Sequence, residues 1–395
     1  MVHQCLIVDL KQQGLQQELH ELKSEYADKL KISFASSDDA LAMLQTGTFV
    51  GLVLITEQAD NNSISILENF KNNGGVIPHF QAIVCSEPSP IFMTQVFEYG
   101  LEYFISEKHF KTQAESFLSR IIELLDDPES TESKCIALAR AVTDGDSALI
   151  KQRCEALGDL ASYDFLAAHT SGVALQATGK YSEAITAFES AKKLNKMFRP
   201  AVSGVGENLL VLGKTDEALQ IFESLEKLNK RSVDRKVNLA MVYIEKKDLT
   251  SAQRYLLEAE ALEPGNDRID ELKTQLLLAQ GKLKEAFGMM DKLHDVGPFF
   301  AAKLNEMGIK LSQAGKGKSA LALYQKAHKI VKKELKYKIS LNAALACYRM
   351  ADYSRSLKYL QRSEQEHGET LEKAQKIKKA IVVQQRKKAA SVKAG

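Results

Sequence analysis

The chain has 395 residues, of which 45% are apolar and 26% charged, with 7 Pro, no Trp and a formal net charge of +2. That length and balance predict two or three soluble globular domains and exclude a collagen-like, low-complexity or disulfide-stapled miniature fold. No stretch approaches a membrane-spanning length of apolar residues, and Asp9 interrupts the opening apolar run, so neither membrane insertion nor a leader is expected and the location is read as cytoplasmic.

The five cysteines, Cys5, Cys85, Cys135, Cys154 and Cys347, include no C-x-x-C pair, and the eight histidines show no metal-ligand spacing. No metal and no cofactor are expected. Charge is unevenly spread. Residues 1–125 carry 16 Asp/Glu against 8 Lys/Arg, whereas residues 369–395 carry 8 Lys/Arg against 2 Asp/Glu.

In chain order, short β-branched runs come first: Leu6 to Asp9, Leu30 to Phe34, Val50 to Ile55, Phe80 to Cys85 and Tyr103 to Ile105. Helix-length segments separate them, near 12–28, 38–44, 63–72 and 91–99, and a last one follows at 110–125. Apolar strands alternating with helices predict an α/β doubly wound, five-stranded parallel sheet covered on both faces. Its chemistry belongs at the carboxyl edge, on Asp9 and Leu10, Thr56 and Glu57, Ser86 and Glu87, Ser106 and Glu107. "DLKQQG" after the first strand lacks the glycine spacing of a dinucleotide fingerprint.

With "GLVLIT", "IVCSE" and "EYGLEYFISEK" as landmarks, residues 1–127 resemble the receiver domain of bacterial two-component response regulators. The resemblance implies an acid pair that holds Mg²⁺, a phosphorylated aspartate, a Ser or Thr, and a lysine on the phosphoryl group. Here those places fall on Asp9 with Leu10, on Thr56, on Ser86 and on Glu107. Leu10 offers a metal no oxygen, Thr56 cannot form an acyl phosphate, and Glu107 repels one. A pseudo-receiver without phosphotransfer is therefore expected. A one-residue slip would instead set Glu57 at the third strand tip as a standing negative charge, at the cost of turning the strand over. The family often pairs through the face around 102–125, so a homodimer is one implied contact.

From about residue 130 the sequence repeats. Gly179, Gly213, Gly281 and Gly315 lie on a 34-residue lattice, with Lys247 at the missing point. Ala184, Ala218, Ala252, Ala286 and Ala320 share that spacing, each followed after four residues by Phe188, Phe222, Leu256, Met290 or Tyr324. Each unit reads as two amphipathic helices, the alanine permitting close approach and the large residue filling the gap to a neighbour. "LGKT" and "GKGKS" lack the earlier glycine of a phosphate loop and read as inter-helix turns.

This array resembles tetratricopeptide repeats, with units beginning near Phe165, Arg199, Val233, Asp267 and Ala301 and a drifted sixth near Tyr337, over 165–368. Gly172, Gly206, Ala240 and Gly308 fill the small position of the first helix, and Thr274 departs from it. Residues 128–164, with Gly145 on the lattice, are a linker or a degenerate leading helix pair; 369–395 hold a capping helix, with Leu371, Ala374, Ile377, Ile381 and Val382 inward, and a basic frayed tail. The tail has no aromatic residue, so no nucleic acid partner is expected.

The resemblance implies an all-α superhelix whose groove takes a peptide or helix on His169, Val173, Ser203, Glu207, Asn238, Met241, Glu271, Gln275, Asn305, Ile309, Asn342 and Tyr348. That set lacks the Lys/Asn/Arg clamp for a terminal carboxylate. The expected function is a non-enzymatic signalling adaptor binding protein partners. An atypical phosphoacceptor regulator and a structural assembly subunit are the alternatives.

Overall fold

Val, Ile and Leu runs buried on both faces can persist only where a sheet is covered from two sides, and the three inner runs, Cys5 to Val8, Leu52 to Ile55 and Gln81 to Cys85, are buried throughout, whereas the outer two keep Phe34 and Phe104 37% exposed. In the computed structural model the described residues are 3–9, 15–36, 39–40, 42–43, 51–56, 66–67, 80–85, 103–196, 198–228, 230–294, 296, 298–369 and 371–393. Strands β1 (His3–Asp9), β2 (Leu30–Ala35), β3 (Gly51–Ile55), β4 (Gln81–Cys85) and β5 (Tyr103–Ser106) form one parallel sheet in the order β2-β1-β3-β4-β5. This is the doubly wound order whose switch point lies between β1 and β3. Helices α1 (Gln16–Glu25) and α2 (Phe110–Asp126) are described beside it, and the remaining predicted helices of this domain fall mostly outside the described residues.

Among the described residues, seven helix pairs follow. They are α3 (Thr131–Asp144) with α4 (Ser147–Leu157), α5 (Phe165–Ala177) with α6 (Tyr181–Leu194), and α7 (Arg199–Val211) with α8 (Thr215–Leu228). Next come α9 (Val233–Glu245) with α10 (Leu249–Leu262), α11 (Asp267–Ala279) with α12 (Leu283–Met290), α13 (Pro298–Gln313) with α14 (Gly317–Ile330), and α15 (Lys336–Arg349) with α16 (Tyr353–His367). A last helix, α17, runs Glu372–Lys393. Where a frayed tail was expected, the helix continues to Lys393, because its Ala, Lys, Gln and Arg are strong helix formers. Val382 is the exception on its expected inner face, being 45% exposed, while Ala374, Ile377 and Ile381 pack on Leu341, Ala344 and Leu360.

The chain divides into two compact units, Met1–Asn238 and Leu239–Gly395. In the first, one apolar cluster runs from Cys5, Ile7 and Val53 through Phe117 and Ile121 to Cys135, Leu138 and Ala167, so the sheet and the helices after it share a core. The junction is pinned by polar contacts: Ser130 Oγ and Ser133 Oγ both donate to Leu124 O, at 2.6 and 2.9 Å, and Ser130 Oγ caps α3 by accepting from Ser133 N. In the second unit, Met290, Phe300, Leu304, Tyr324 and Cys347 belong to one cluster.

The turns follow the lattice. Gly145, Gly179, Gly213, Gly281 and Gly315 all take φ between 71 and 79°. Lys247 takes φ 63° at the missing lattice point, and Ala351 takes φ 56° between the two helices of the last pair. A side chain in that left-handed conformation meets its own backbone, at a cost of roughly 1–2 kcal/mol. Lys247→Gly is therefore expected to stabilise the chain by about 0.5–1 kcal/mol, the gain being trimmed by the freer unfolded glycine. A rise in the urea midpoint measures it, and a fall would show that the lysine side chain holds the turn.

Candidate protein-binding site

The parallel sheet brings the ends of β1, β3, β4 and β5 to one edge, since Asp9 pairs with Ile55, Ile55 with Val84, and Cys85 with Ser106. Thr56, at the expected phosphoacceptor place, is only 4% exposed and its N–H donates to Val84 O at 3.1 Å, prolonging the strand pairing. Leu10, Glu57 and Ser86 lie outside the described residues. Asp9 is half-buried and lines a cavity of about 360 Å³ together with His20, Phe34, Ser36 and Asp39. Asp39, held by a 2.7 Å hydrogen bond from Ser36 Oγ, was invisible as a neighbour of Asp9 because it follows the adjacent strand β2, not β1. Glu107 is half-buried at the start of a short 3₁₀ turn that also carries the exposed Lys108, so this end of β5 presents a cation one residue beyond the acid. Among the described residues, no group of three or more His, Cys, Asp and Glu side chains is placed to hold a metal ion. Burial pushes the thiols of Cys5 and Cys135 up to about 12, so both stay protonated in their cores.

The first helices of the pairs carry the second set of candidates. In the unit Met1–Asn238, His169 is 9% exposed and its ring packs edge-on to Phe198 at 5.0 Å and beside Phe188 at 5.4 Å. It is thus part of an aromatic core. Val173, Ser203 and Glu207 are half-buried, and the 2% exposed Asn238 donates from Nδ2 to Glu207 Oε1 at 3.2 Å. Asn208, which sequence reasoning passed over, makes the matching bridge one pair earlier, donating to Gln176 Oε1 at 3.0 Å.

In the unit Leu239–Gly395, Met241, Glu271, Asn305, Ile309 and Tyr348 are half-buried. Asn342 donates from Nδ2 to Asn305 Oδ1 at 2.7 Å, and Arg349 donates to Ser312 Oγ at 3.1 Å. Each of these bonds joins the first helix of one pair to the first helix of the next. The amides therefore order neighbouring helices while leaving one edge of each pair toward solvent. Gln275 differs: it is 7% exposed, its Oε1 is buried without a hydrogen-bond partner, and it lines a cavity of about 420 Å³.

In the same unit, His328 Nε2 of α14 meets Glu366 Oε1 of α16 at 2.6 Å, Arg362 Nε donates to the same oxygen at 2.9 Å, and Ser340 Oγ of α15 donates to Glu366 Oε2 at 2.7 Å. Burial lowers the His328 pKa below the ordinary 6.5; Glu366 pulls it up, while Arg362 and Lys336 add to the lowering. For Glu366, burial acts upward but is outweighed by the hydrogen bonds of Ser340, His328 and Arg362, which lower it. In the window just below pH 6.5 the unfolded chain binds a proton at this histidine that the folded chain resists. Stability present above pH 6.5 is therefore lost as pH falls toward the folded value. Urea midpoints measured from pH 7.5 to 5.5 are expected to fall, and to fall less steeply in His328→Gln; equal slopes would contradict this.

The strand order and the helix pairs define the class: a sheet domain of receiver-like topology followed by an array of paired helices similar to tetratricopeptide repeats. The tetratricopeptide repeat family model matches residues 209–276. No curated protein matches the chain. Among solved structures, the APC/C hetero-tetramer Cut9–Hcn1 aligns at 14% identity and TM-score 0.48, covering 86% of this chain and 61% of that one. A tetratricopeptide repeat protein from Parabacteroides merdae aligns at 15% identity and TM-score 0.44, covering 64% of this chain and 98% of that one. PilF of Pseudomonas aeruginosa aligns at 18% identity and TM-score 0.35, covering 54% and 88%.

Proposed function

We propose that this chain is a non-catalytic adaptor that holds protein partners on the first-helix faces of its repeat array, with the sheet domain as a second contact surface that does not undergo phosphotransfer. The observation that carries the reading is the array itself, a run of helix pairs in 34-residue register of which residues 209–276 match the tetratricopeptide repeat family. Such pairs bury one side of each helix against neighbours and leave the other to a ligand, and the known uses of that surface are recognition of peptides and helices. For the sheet domain, a 4% exposed Thr56 where an exposed carboxylate is needed supports a contact role over a chemical one. The signalling assignment, the dimer through the face around 102–125, and division of the chain at residues 127, 164 and 368 belong to the same proposal. The test is capture of specific proteins from native lysate by the immobilised full-length chain, identified by mass spectrometry and checked by reverse capture. Specific partners that survive reverse capture are expected. Recovery no greater than from an unrelated immobilised protein would contradict the reading.

A further inference from the structure

Within the unit Leu239–Gly395, the end of α9 and the facing sides of α11 and α13 enclose the cavity of about 420 Å³. Its inner wall is apolar: Ile244, Leu278 and Phe300 are buried and Met307 is half-buried. Its rim is charged. Lys303 Nζ lies 2.8 Å from Glu245 and 3.6 Å from Glu306, and Lys310 Nζ lies 2.6 Å from Glu306. Those contacts set two lysines against two glutamates. Lys247, the third lysine of the lining, has no ion-pair partner among the described residues.

Two features of this cavity run against stability and meet in one place. Gln275 sits on the 34-residue lattice of Val173, Glu207, Met241 and Ile309, and it is 7% exposed with its amide oxygen buried without a hydrogen-bond partner. Lys247 holds a left-handed backbone that glycine occupies at the neighbouring lattice points. A buried amide oxygen without a partner and a strained turn both cost folding energy, and such costs persist where a ligand repays them. An amide offers one donor group and one acceptor, the complement of a peptide unit in an extended chain. The apolar wall takes a large aliphatic or aromatic side chain, and the unmatched positive charge of Lys247 takes a carboxylate.

We propose that this cavity seats an extended segment of a partner protein, with a bulky apolar side chain inserted, its peptide unit paired with Gln275, and an adjacent acidic side chain on Lys247. The inference rests on the partner-binding reading above and assigns that reading one place and one ligand chemistry. No bond is made or broken.

The probe is a fluorescein-labelled, end-blocked heptapeptide, Gly-Ser-Gly-Phe-Asp-Gly-Ser, titrated onto the full-length chain by fluorescence anisotropy. Saturable binding is expected, weakened at least fivefold in Gln275→Leu, in Met307→Glu and in Lys247→Gly, and lost when Ser replaces Phe in the probe. Gln275→Leu and Lys247→Gly are both expected to fold at least as stably as the parent, so weakened binding there is not unfolding; Leu257→Ala, at an exposed residue outside the cavity, leaves the affinity unchanged. Equal affinity for parent and Gln275→Leu overturns the proposal, as does failure of the parent to bind the probe. If partners captured by the parent chain are still captured by Gln275→Leu and Met307→Glu, this site fails while the adaptor reading stands. Absence of any specific capture by the parent is failure of the adaptor reading itself.

Discussion

Phe188→Ala is expected to remove about 3–5 kcal/mol of stability, the range for truncating a fully buried aromatic residue. Phe188 is 1% exposed on α6, and its ring stands between two backbones. A Cβ added at Gly172 of α5 would fall 2.8 Å from one edge of the ring, and one added at Gly204 of α7 would fall 2.8 Å from the other. Two glycines thus form a slot closed on both sides. The urea midpoint should drop with little change in slope, while Leu257→Ala, at a residue 56% exposed, should alter stability by less than about 0.5 kcal/mol. A loss below about 1 kcal/mol for Phe188→Ala would show that the ring does not join the two helix pairs.

Gly308→Ala is expected to destabilise by about 1–2 kcal/mol although alanine is the better helix former by about 1 kcal/mol. The added methyl would overlap the ring of Tyr324, with the phenol oxygen 2.8 Å away. Tyr324 is 1% exposed and cannot swing outward. Gly288→Ala is the counterpart: nothing lies within 4 Å of its added Cβ, so the same substitution should stabilise by about 0.5–1 kcal/mol. Pairing Gly308→Ala with Tyr324→Leu should recover part of the loss, because the two residues share one contact. If Gly308→Ala and Gly288→Ala shift the midpoint in the same direction, the close approach of α13 and α14 is wrong.

Much of this packing is legible in the residues. The spacing that sets Ala184 and Phe188 apart from Ala218 and Phe222 also sets the observed second-helix starts, Tyr181, Thr215, Leu249, Leu283 and Gly317. Periodicity reports this well because each helix pair must solve the same packing problem. It reported less about Pro298, where α13 starts three residues ahead of the expected Ala301, since proline suits the first turn of a helix as readily as the turn before it. The five strands were equally readable from their β-branched runs, whereas Asp39 beside Asp9 depends on which strands lie next to each other.

The candidate binding residues were the least legible. Periodicity identifies the exposed side of a first helix, but not which side chain of the next helix closes over it. His169 lies among Phe165, Phe188 and Phe198, and Asn238 and Asn342 bond to neighbouring helices. Gln275 alone of these residues combines deep burial, an unpartnered amide oxygen and an adjoining cavity, and none of the three can be read from a glutamine in a helical pattern.

Partner binding without phosphotransfer is the central claim, and one measurement addresses both halves. The full-length chain is incubated with acetyl phosphate and Mg²⁺, weighed by intact-mass spectrometry, and titrated with a captured partner beside an untreated sample. The account predicts an unchanged mass and one affinity for both samples. Addition of a phosphoryl group to the folded chain, with a shift in partner affinity, would contradict it.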